Sequence, residues 1–367
     1  MTKNVFQQLY HKDLEKVYKS FTASGGEVVL DNVIGDIPDL QAYFQNLKEN
    51  INLDTRLLIS YHNPSWEPIL NLASKLGLRK KAGLQNWLDQ EDLKNILSLS
   101  GFEVIKSQKR FYGITTITTA KPISTSRSIK EESSVSIIVP ARNEEGNIPK
   151  IIPSIPRFGK WQEIIFVEGH SKDKTWEKIK AQKVKFEKDK FRSVKIFKQK
   201  GKGKADATWL GLGKAKGDIL MIYDADRTVP AKDLPKFYNV LAGGLGDFAN
   251  GSRLVYPMEG DAMQGLNKIG NQFFSKLFTW ILGQHFKDTL CGTKAFYRKD
   301  YLNFKRTKTD PFGDFDLIFG AIRNNLKVVE VPIRYKERVY GTTNINRFRH
   351  GILLFKMVYL ALVEFKL

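Results

Sequence analysis

The stretch Asp218-Ile-Leu-Met-Ile-Tyr-Asp-Ala-Asp226 decides the fold class of this 367-residue chain. Its apolar run predicts a buried strand, and two carboxylates, Asp224 and Asp226, follow that strand directly. Upstream, strands predicted at 135–139, 163–167 and 193–197 alternate with helices predicted at 143–152, 172–186 and 205–214. This alternation indicates a mostly parallel α/β sheet with right-handed crossovers. Ligands of such sheets bind at the carboxyl ends of the strands, where both carboxylates are expected.

Acidic side chains at two of these strand ends suggest a metal and nucleotide site. Asp224 and Asp226 offer hard oxygen donors that suit Mg²⁺ or Mn²⁺ bridging to a diphosphate. The alternative for this pair is a solvated cap on the next helix. Glu168 ends another predicted strand and could accept from a ribose hydroxyl or a base. Asp173, in the turn after it, could instead cap the following helix.

The basic stretch Lys200-Gly-Lys-Gly-Lys204 suggests contact with phosphate. Glycines let the backbone approach an anion, and ammonium groups accompany them here. The spacing is not that of a P-loop. We therefore expect Lys202 or Lys204 to contact the phosphates of a donor, and we expect 178–190 to be a solvated helix face.

Four segments, taken in order, resemble the family 2 glycosyltransferases with the GT-A fold, a Rossmann-like, mostly parallel sheet with helices on both faces. They are 136–148, 164–175, 202–207 and 224–226. The family usually has Asp where this chain has Glu168. The resemblance implies metal binding by Asp224 and Asp226. It implies that further residues bind the nucleotide sugar: Pro140, Ala141, Asn143, Glu144, Glu168, Lys202, Lys204 and Asp224.

Downstream segments resemble the polyprenyl-phosphate sugar transferases, such as dolichyl-phosphate mannose and glucose synthases. They are 250–253, 267–271, 288–296 and 330–335, followed by Arg338 and 341–345. The resemblance implies that Arg253, Lys268 and Arg338 hold the acceptor phosphate. Members of this group often have a polar metal ligand two residues after the Asp-x-Asp pair, and Thr228 occupies that place here.

The resemblance also implies inverting transfer, and we expect Asp226, Asp288 and Arg253 to be the catalytic residues. A phosphate acceptor is already ionised and needs no strong general base. A saccharide or lipid hydroxyl would need one, and Asp288 is the residue we would expect to serve. Alternatively, Asp288 orders the loop that carries Lys294. The expected partners are therefore a nucleoside-diphosphate sugar and a lipid-phosphate or glycan acceptor.

Composition narrows the classes of partner. The formal net charge of +20, from 59 Lys and Arg against 39 Asp and Glu, favours anionic partners. A nucleic-acid-binding protein is the alternative class, but aromatic residues do not interleave with the basic run and no nucleic-acid motif is present, so no nucleic acid is expected. The single cysteine, Cys291, excludes an intrachain disulfide and fits a reducing compartment. With no signal-peptide pattern and no run of about 18 apolar residues, we expect a cytoplasmic protein, peripheral on the inner face of an anionic membrane.

The N-terminal part resembles the second half of a class I methyltransferase domain, through segments 30–40, 57–63, 86–93 and 100–104. Strands are predicted at 27–34 and 56–60, helices at 38–49 and 91–100, and a closing antiparallel pair at 102–105 and 111–118. The glycine-rich turn that binds S-adenosylmethionine in such domains does not precede residue 27, so we expect no methylation. A third hypothesis, that the chain is a methyltransferase, is disfavoured for the same reason.

Four regions are therefore predicted: a partial methyltransferase-like unit at 1–118, a Ser/Thr-rich linker at 119–134, the glycosyltransferase domain at 135–350 and an amphipathic helix at 351–367. That last segment mixes basic and apolar residues and is too interrupted to cross a bilayer. It is expected either to lie in the membrane interface or to pack on the domain.

Overall fold

The computed structural model describes residues 26–77, 85–123, 132–256, 265–307, 310, 313–336, 338, 340 and 347–366, but not the side chains of 265–269, 271–272 and 347–351. The chain divides into two compact units. The first comprises Met1–Arg127 and Val255–Pro257, and the second comprises Ser128–Leu254 and Met258–Leu367.

The first unit contains a four-stranded sheet of order β1-β2-β4-β3. Its strands are β1 (Glu27–Asp31), β2 (Arg56–His62), β3 (Phe102–Arg110) and β4 (Thr115–Pro122), and its helices are α1 (Leu40–Glu49), α2 (Glu67–Lys75) and α3 (Gln90–Leu99). β1 and β2 are parallel, whereas β4 runs antiparallel to both β2 and β3. The predicted closing antiparallel pair is therefore present.

The predicted linker begins too early. Its first four residues, Thr119–Pro122, belong to β4, the strand that pairs with neighbours on both sides. The Ser/Thr-rich composition suggested a linker, but threonine is β-branched and therefore also suits a buried strand. Thr118 and Thr119 are both buried. Residues 124–131 of the predicted linker lie outside the described residues.

Two residues from late in the chain belong to the first unit. Val255 and Tyr256 are buried in its core, among side chains such as Leu40, Phe44 and Leu93. The Tyr256 hydroxyl accepts a hydrogen bond from the backbone N–H of Leu40 at 3.2 Å, at the start of α1. Val255 and Tyr256 lie within the range 135–350 that was predicted as the glycosyltransferase domain, but they group with the first unit.

The second unit contains a seven-stranded sheet of order β11-β9-β10-β8-β5-β6-β7. Its strands are β5 (Val135–Ala141), β6 (Gln162–Glu168), β7 (Arg192–Lys198), β8 (Ile219–Ile222), β9 (Phe248–Ser252), β10 (Lys294–Tyr297) and β11 (Val328–Pro332). Its helices are α4 (Ile148–Ser154), α5 (Thr175–Lys185), α6 (Lys204–Lys214), α7 (Leu234–Ala242), α8 (Gly265–Leu282), α9 (Arg298–Tyr301), α10 (Asp314–Arg323) and α11 (Arg347–Phe365).

The predicted α/β fold class with a mostly parallel sheet is confirmed. All pairs in this sheet are parallel except those of β10, which runs antiparallel to β8 and β9. Consecutive residues of β5, Ile137, Ile138 and Val139, are all fully buried. Since neighbouring residues of a strand point to opposite faces, both faces of the sheet are covered.

Three helices form a separate apolar layer of the second unit. Phe278 of α8, Phe315 of α10 and Met357 of α11 are buried together there. α11 thus packs on the domain, which was one of the two alternatives predicted for this segment. The helix starts at Arg347 rather than at residue 351. No helix within the described part of the chain is both long enough and apolar enough to cross a membrane.

Candidate active site

Three neighbouring parallel strands bring the predicted acidic residues to one edge of the second sheet. β5 pairs with β6 on one side and with β8 on the other. β5 ends with Pro140 and Ala141, β6 ends with Glu168, and Asp224 lies two residues after β8. Their side chains therefore converge at the edge where ligands of parallel sheets bind.

Asp224 forms an ion pair with Lys204, the first residue of α6. The Lys204 ammonium lies 2.7 Å from Oδ1 and 2.9 Å from Oδ2 of Asp224. Burial disfavours the charge on Lys204, but the carboxylates of Asp224 and Asp314 outweigh it and raise the pKa of the ammonium. Gly292 approaches this pair so closely that a Cβ there would lie 2.2 Å from Asp224 Oδ2.

Asp226 has both carboxylate oxygens engaged. Oδ1 accepts from the backbone N–H of Thr228 at 3.1 Å and from its hydroxyl at 2.8 Å. Oδ2 accepts from the Arg338 guanidinium at 2.6 Å. The buried Thr228 hydroxyl thus orients the Asp226 carboxylate in this structure.

The Asp224–Asp226 pair fits a divalent cation of the Mg²⁺ or Mn²⁺ kind. The two carboxylates are 26% and 12% exposed, so both are reachable from the solvent side of the sheet edge. They supply the hard oxygen donors that such ions prefer. The absence of a Cβ at Gly292 leaves room beside Asp224. In this structure each carboxylate is paired with a cationic side chain, Asp224 with Lys204 and Asp226 with Arg338. These positive charges lie where the charge of a bound metal ion would act.

The turn after β5 is held by the turn after β6. Asn143 adopts a left-handed conformation with φ 55°, its N–H donates to Ser171 Oγ at 3.0 Å, and its side-chain oxygen accepts from the Lys172 N–H at 2.8 Å. The N–H of Glu144 donates to Thr175 Oγ1 at 2.8 Å. The left-handed backbone of Asn143 cannot belong to a right-handed helix, and the helix predicted from residue 143 begins only at Ile148.

Glu144 is a buried carboxyl close enough to Asp226 to feel its charge. Burial raises its pKa to about 7; Asn147, which donates to Oε2 at 2.6 Å, and Arg338 oppose the shift, while Asp226 adds to it. Arg338 lies 3.9 Å from Glu144 Oε1. Glu144 therefore titrates close to neutral pH at the edge of the site.

Glu168 and Asp173 order the turn between β6 and α5. A carboxylate oxygen of the buried Glu168 accepts from the backbone N–H of Ser171. Asp173 accepts from the N–H of Thr175, the first residue of α5, and from the N–H of Glu145 at 3.2 Å. Asp173 therefore has the capping role that the sequence suggested as an alternative to ligand binding.

The two candidate lysines of the basic stretch before α6, Lys202 and Lys204, lie in different environments. Gly203 has φ 90° and precedes Lys204, the first residue of α6, whereas Lys202 is exposed. The N–H of Gly201 donates to Asp206 Oδ2 at 3.1 Å, which fixes the loop to the helix. Of the two lysines, Lys204 is the one brought to Asp224.

Arg253 and Asp288 form a second charged pair. The Arg253 Nε and Nη2 donate to the two Asp288 oxygens at 2.7 and 2.8 Å, a bidentate arrangement. Burial opposes the charge of Asp288, but Arg253 outweighs it and lowers the pKa of the carboxyl. Glu330 accepts from the Asp288 N–H at 3.0 Å, and Asn250 donates to the Asp288 carbonyl at 2.7 Å.

A small, open depression adjoins Asp288, with room for about one water molecule. Its lining combines the apolar side chains of Leu254, Phe274, Leu290 and Leu354 with the polar residues Ser275, Lys287 and Thr289. Apolar and polar groups thus share the surface beside Asp288.

Two predicted elements of the acceptor site cannot be placed. The Lys268 side chain and segment 341–345 lie outside the described residues. Arg338, predicted to bind the acceptor phosphate, lies on Asp226 in this structure.

Two residues with contacts near the candidate site, Tyr340 and Asp314, were not predicted from the sequence. Tyr340 donates to Glu145 Oε1 at 3.2 Å, and its ring covers Gly146. Asp314 pairs at 2.8 Å with Lys294, a fully buried lysine. Both contacts join residues far apart in the chain. The sequence feature that comes closest to indicating the role of Asp314 is Gly313-Asp314 at the start of an apolar helical pattern. By itself this feature indicates only where a helix starts.

The chain resembles known proteins over part of its length. Residues 136–304 match the family model described as "Glycosyl transferase family 2". "Glycosyltransferase AglJ" of Haloferax volcanii is 28% identical over 228 residues, 61% of this chain and 71% of that protein. The "Dolichyl-phosphate hexose transferase" of the same organism is 27% identical over 234 residues, 64% of this chain and 96% of that protein. A "Dolichol-phosphate mannosyltransferase" of Pyrococcus furiosus is 29% identical over 223 residues, 58% of this chain and 59% of that protein.

Among solved structures, the glucosyl-3-phosphoglycerate synthase of Mycobacterium tuberculosis aligns with a TM-score of 0.47 at 17% identity. The alignment covers 65% of this chain and 83% of that one.

Proposed function

We propose that this chain, a glycosyltransferase whose residues 136–304 match family 2, transfers a sugar from a nucleoside-diphosphate sugar to a polyprenyl phosphate. Transfer would invert the anomeric carbon in one in-line displacement and depend on a divalent metal. Relatives named as dolichyl-phosphate hexose and mannosyl transferases support this choice of acceptor.

The Arg253–Asp288 pair is the observation that carries the acceptor assignment. A hydroxyl acceptor needs a base that takes up its proton, but both Asp288 oxygens are bound by Arg253 and the pKa of Asp288 is lowered. A phosphate acceptor arrives ionised and needs no such base. The geometry therefore favours Asp288 as the group that orients Arg253, and it disfavours the hydroxyl alternative.

Arg253 has the position and charge to hold an acceptor phosphate. It is 22% exposed, and its guanidinium stacks on Tyr335 at 5.3 Å. Two of its three nitrogens bind Asp288, and the third, Nη1, meets no acceptor among the residues described. Arginine binds phosphate well through such planar, fixed donors.

Apolar side chains near Asp288 and on α11 support a lipid acceptor. Leu254, Phe274, Leu290 and Leu354 contribute to the surface beside Asp288, against which the first isoprene units of a bound polyprenyl phosphate would pack. On the outer side of α11, four apolar side chains follow each other at helical spacing and are exposed: Ile352, Phe355, Tyr359 and Val363. Together with the exposed Lys356, they form a surface suited to an anionic membrane interface.

At the donor site, Lys204 and the Asp224–Asp226 pair supply the charges that a nucleoside diphosphate requires. A divalent cation held by the two carboxylates would neutralise the charge that builds on the departing diphosphate. Lys204, paired with Asp224, is placed to donate to the same phosphates. Asn143 and Glu144 in the turn after β5, and Glu168 at the end of β6, are proposed to position the nucleoside.

The test is a transfer assay with the full chain, Mn²⁺, a panel of radiolabelled UDP- and GDP-sugars, and farnesyl phosphate or farnesol as acceptor. We expect an organic-soluble product with the phosphate and none with the alcohol. We also expect Asp226→Asn to lower kcat/KM at least about a hundredfold, because it removes a charged metal ligand. Asp300→Asn, in the short helix α9, is the matched control and should retain activity.

Two results would contradict the proposal. Transfer to farnesol at a rate similar to that with farnesyl phosphate would restore the hydroxyl alternative with Asp288 as base. Full activity of Asp226→Asn in the presence of a chelator would remove the metal assignment.

A further inference from the structure

The described residues 333–336, 338 and 340 are called here the late segment. The backbone of its first part is fixed at two points: the N–H of Ile333 donates to Ser252 O at 3.0 Å, and the N–H of Lys336 donates to Thr228 O at 2.9 Å. Farther on, the Tyr340 hydroxyl donates to Glu145 at 3.2 Å. Residues 337 and 339 lie outside the described residues.

Two side chains of the late segment reach the two halves of the site. Tyr335 lies under the Arg253 guanidinium, with 5.3 Å from the guanidinium carbon to the ring centre. Three residues later, Arg338 binds Asp226 Oδ2 at 2.6 Å. One short stretch of chain therefore touches the arginine assigned to the acceptor phosphate and a carboxylate assigned to the metal.

Arg338 and a divalent cation compete for the same oxygen of Asp226. Thr228 already occupies Oδ1, and Arg338 occupies Oδ2 through a short, charge-assisted hydrogen bond. A metal ion and a guanidinium repel each other at such a distance, because both are positive and the carboxylate is only 12% exposed. Binding of a cation at Oδ2 therefore requires the guanidinium to leave.

We propose that Arg338 is the resident counterion of Asp226, and that its displacement by metal and nucleotide makes it available to the acceptor phosphate. This inference rests on the proposed function. It predicts an order of binding: the metal and the nucleotide sugar first, then the lipid phosphate. Without nucleotide, Arg338 weakens metal binding. With nucleotide and metal in place, the released guanidinium adds a positive charge for the acceptor phosphate, and the same segment carries Tyr335, on which Arg253 stacks.

A purely structural salt bridge would behave differently. Removing Arg338 would then lower stability and leave metal affinity unchanged or weaker. If Arg338 is instead a counterion that competes with the metal, its removal should raise the affinity for the metal. The Asp226 carboxylate would then have no other cationic partner at Oδ2 among the described residues.

The test measures Mn²⁺ affinity of the full chain without nucleotide, by electron paramagnetic resonance of free Mn²⁺. We expect Arg338→Ala to bind Mn²⁺ about tenfold more tightly than the native chain, or tighter still, and Arg338→Lys to fall between the two. Arg157→Ala is the matched control: it breaks another arginine–aspartate pair of the same unit, with Asp189 at 3.2 Å, and should leave Mn²⁺ affinity unchanged.

A second measurement examines the acceptor. With Mn²⁺ and nucleoside diphosphate present, we expect Arg338→Ala to bind farnesyl phosphate about tenfold more weakly than the native chain, whereas without nucleotide the two should bind it equally. Unchanged or weaker Mn²⁺ affinity of a folded Arg338→Ala or Arg338→Gln variant would overturn the inference.

Asp226→Asn separates this inference from the proposed function. If Asp226→Asn abolishes Mn²⁺ binding while Arg338→Ala leaves it unchanged, only the inference fails. If Asp226→Asn retains native Mn²⁺ affinity, the metal site itself is misassigned and both fail.

Discussion

At the residue scale, the carboxylates of the site are organised by cationic partners. Asp224 pairs with Lys204, Asp226 with Arg338 and Asp288 with Arg253. Charges that are paired at such short distances cost less to bury than isolated ones. The three carboxylates of the candidate site are thus balanced by three cationic side chains.

Glu144 is the exception, because its nearest cation, Arg338, lies 3.9 Å away and its pKa is raised to about 7. The folded state therefore binds a proton more tightly than the unfolded state, whose carboxyl has a pKa near 4.5. Between these two values stability falls as pH rises, because the unfolded chain releases this proton while the native chain still holds it. Below pH 4.5 both states are protonated, and the penalty is absent.

This difference predicts the effect of Glu144→Gln on the free energy of unfolding. The variant should be more stable than the native chain by roughly 1–3 kcal/mol at pH 8, and by much less at pH 4.5. Denaturant titrations at the two pH values measure this difference. A gain of stability that is the same at both pH values would show that the pKa of Glu144 is not raised in the folded state.

The sequence could predict which residues stand at strand ends but not their partners. Asp224 and Asp226 follow an apolar run, so their position was predictable from local pattern. Arg338 meets Asp226 across more than a hundred residues of chain. No periodicity encodes such a contact, which depends on the path of β11 and the late segment.

At the scale of elements, local patterns predicted strands better than helix starts. The apolar runs at 135–139 and 163–167 fall within β5 and β6. The helix after β5 starts five residues late because side chains of the neighbouring turn capture the backbone of Asn143 and Glu144. Those hydrogen bonds are tertiary, so propensity alone could not reveal them.

Helix α11 has apolar side chains on two faces. Leu354, Met357 and Ala361 are buried against the other helices, whereas Phe355 and Tyr359 are 59% and 64% exposed. The sequence offered packing and membrane contact as alternatives, and the helix has a face for each. The membrane role stays a proposal, and it has a direct test.

Substituting the exposed face should weaken binding to membranes. We expect Phe355→Glu combined with Tyr359→Glu to reduce co-sedimentation with vesicles that contain phosphatidylglycerol by at least about tenfold, through lost apolar burial and added repulsion. Leu302→Glu is the matched control, because Leu302 is 67% exposed elsewhere in the second unit. Equal binding by both variants would exclude α11 as the membrane contact.

At the scale of the whole molecule, the two units are not consecutive in sequence. Val255 and Tyr256 complete the core of the first unit, although the chain before and after them belongs to the second. Composition could suggest a boundary near the Ser/Thr-rich stretch, but two buried residues inside a long segment leave no such signal. The resemblance of the first unit to part of a methyltransferase stays a prediction, which titration with S-adenosylmethionine would test.

Tyr256 should therefore govern the stability of the first unit. It is 4% exposed, and its hydroxyl satisfies the N–H of Leu40, one of the backbone groups that a helix start leaves without an intrahelical partner. Tyr256→Ala should lower the free energy of unfolding of this unit by about 3–5 kcal/mol, because it leaves a large cavity. Tyr256→Phe should lower it by about 1 kcal/mol, because it removes a single hydrogen bond.

Hydrogen exchange resolves the two units separately. In Tyr256→Ala, the amides of Leu57–Ile59 in β2 should exchange faster, while those of Ile137–Val139 in β5 keep their native protection. Tyr238→Ala is the matched control, since Tyr238 is 1% exposed in the second unit and its loss should affect β5 instead. If Tyr256→Ala accelerated exchange in β5 as much as in β2, the two units would unfold as one cooperative structure, and Tyr256 would stabilise the whole chain.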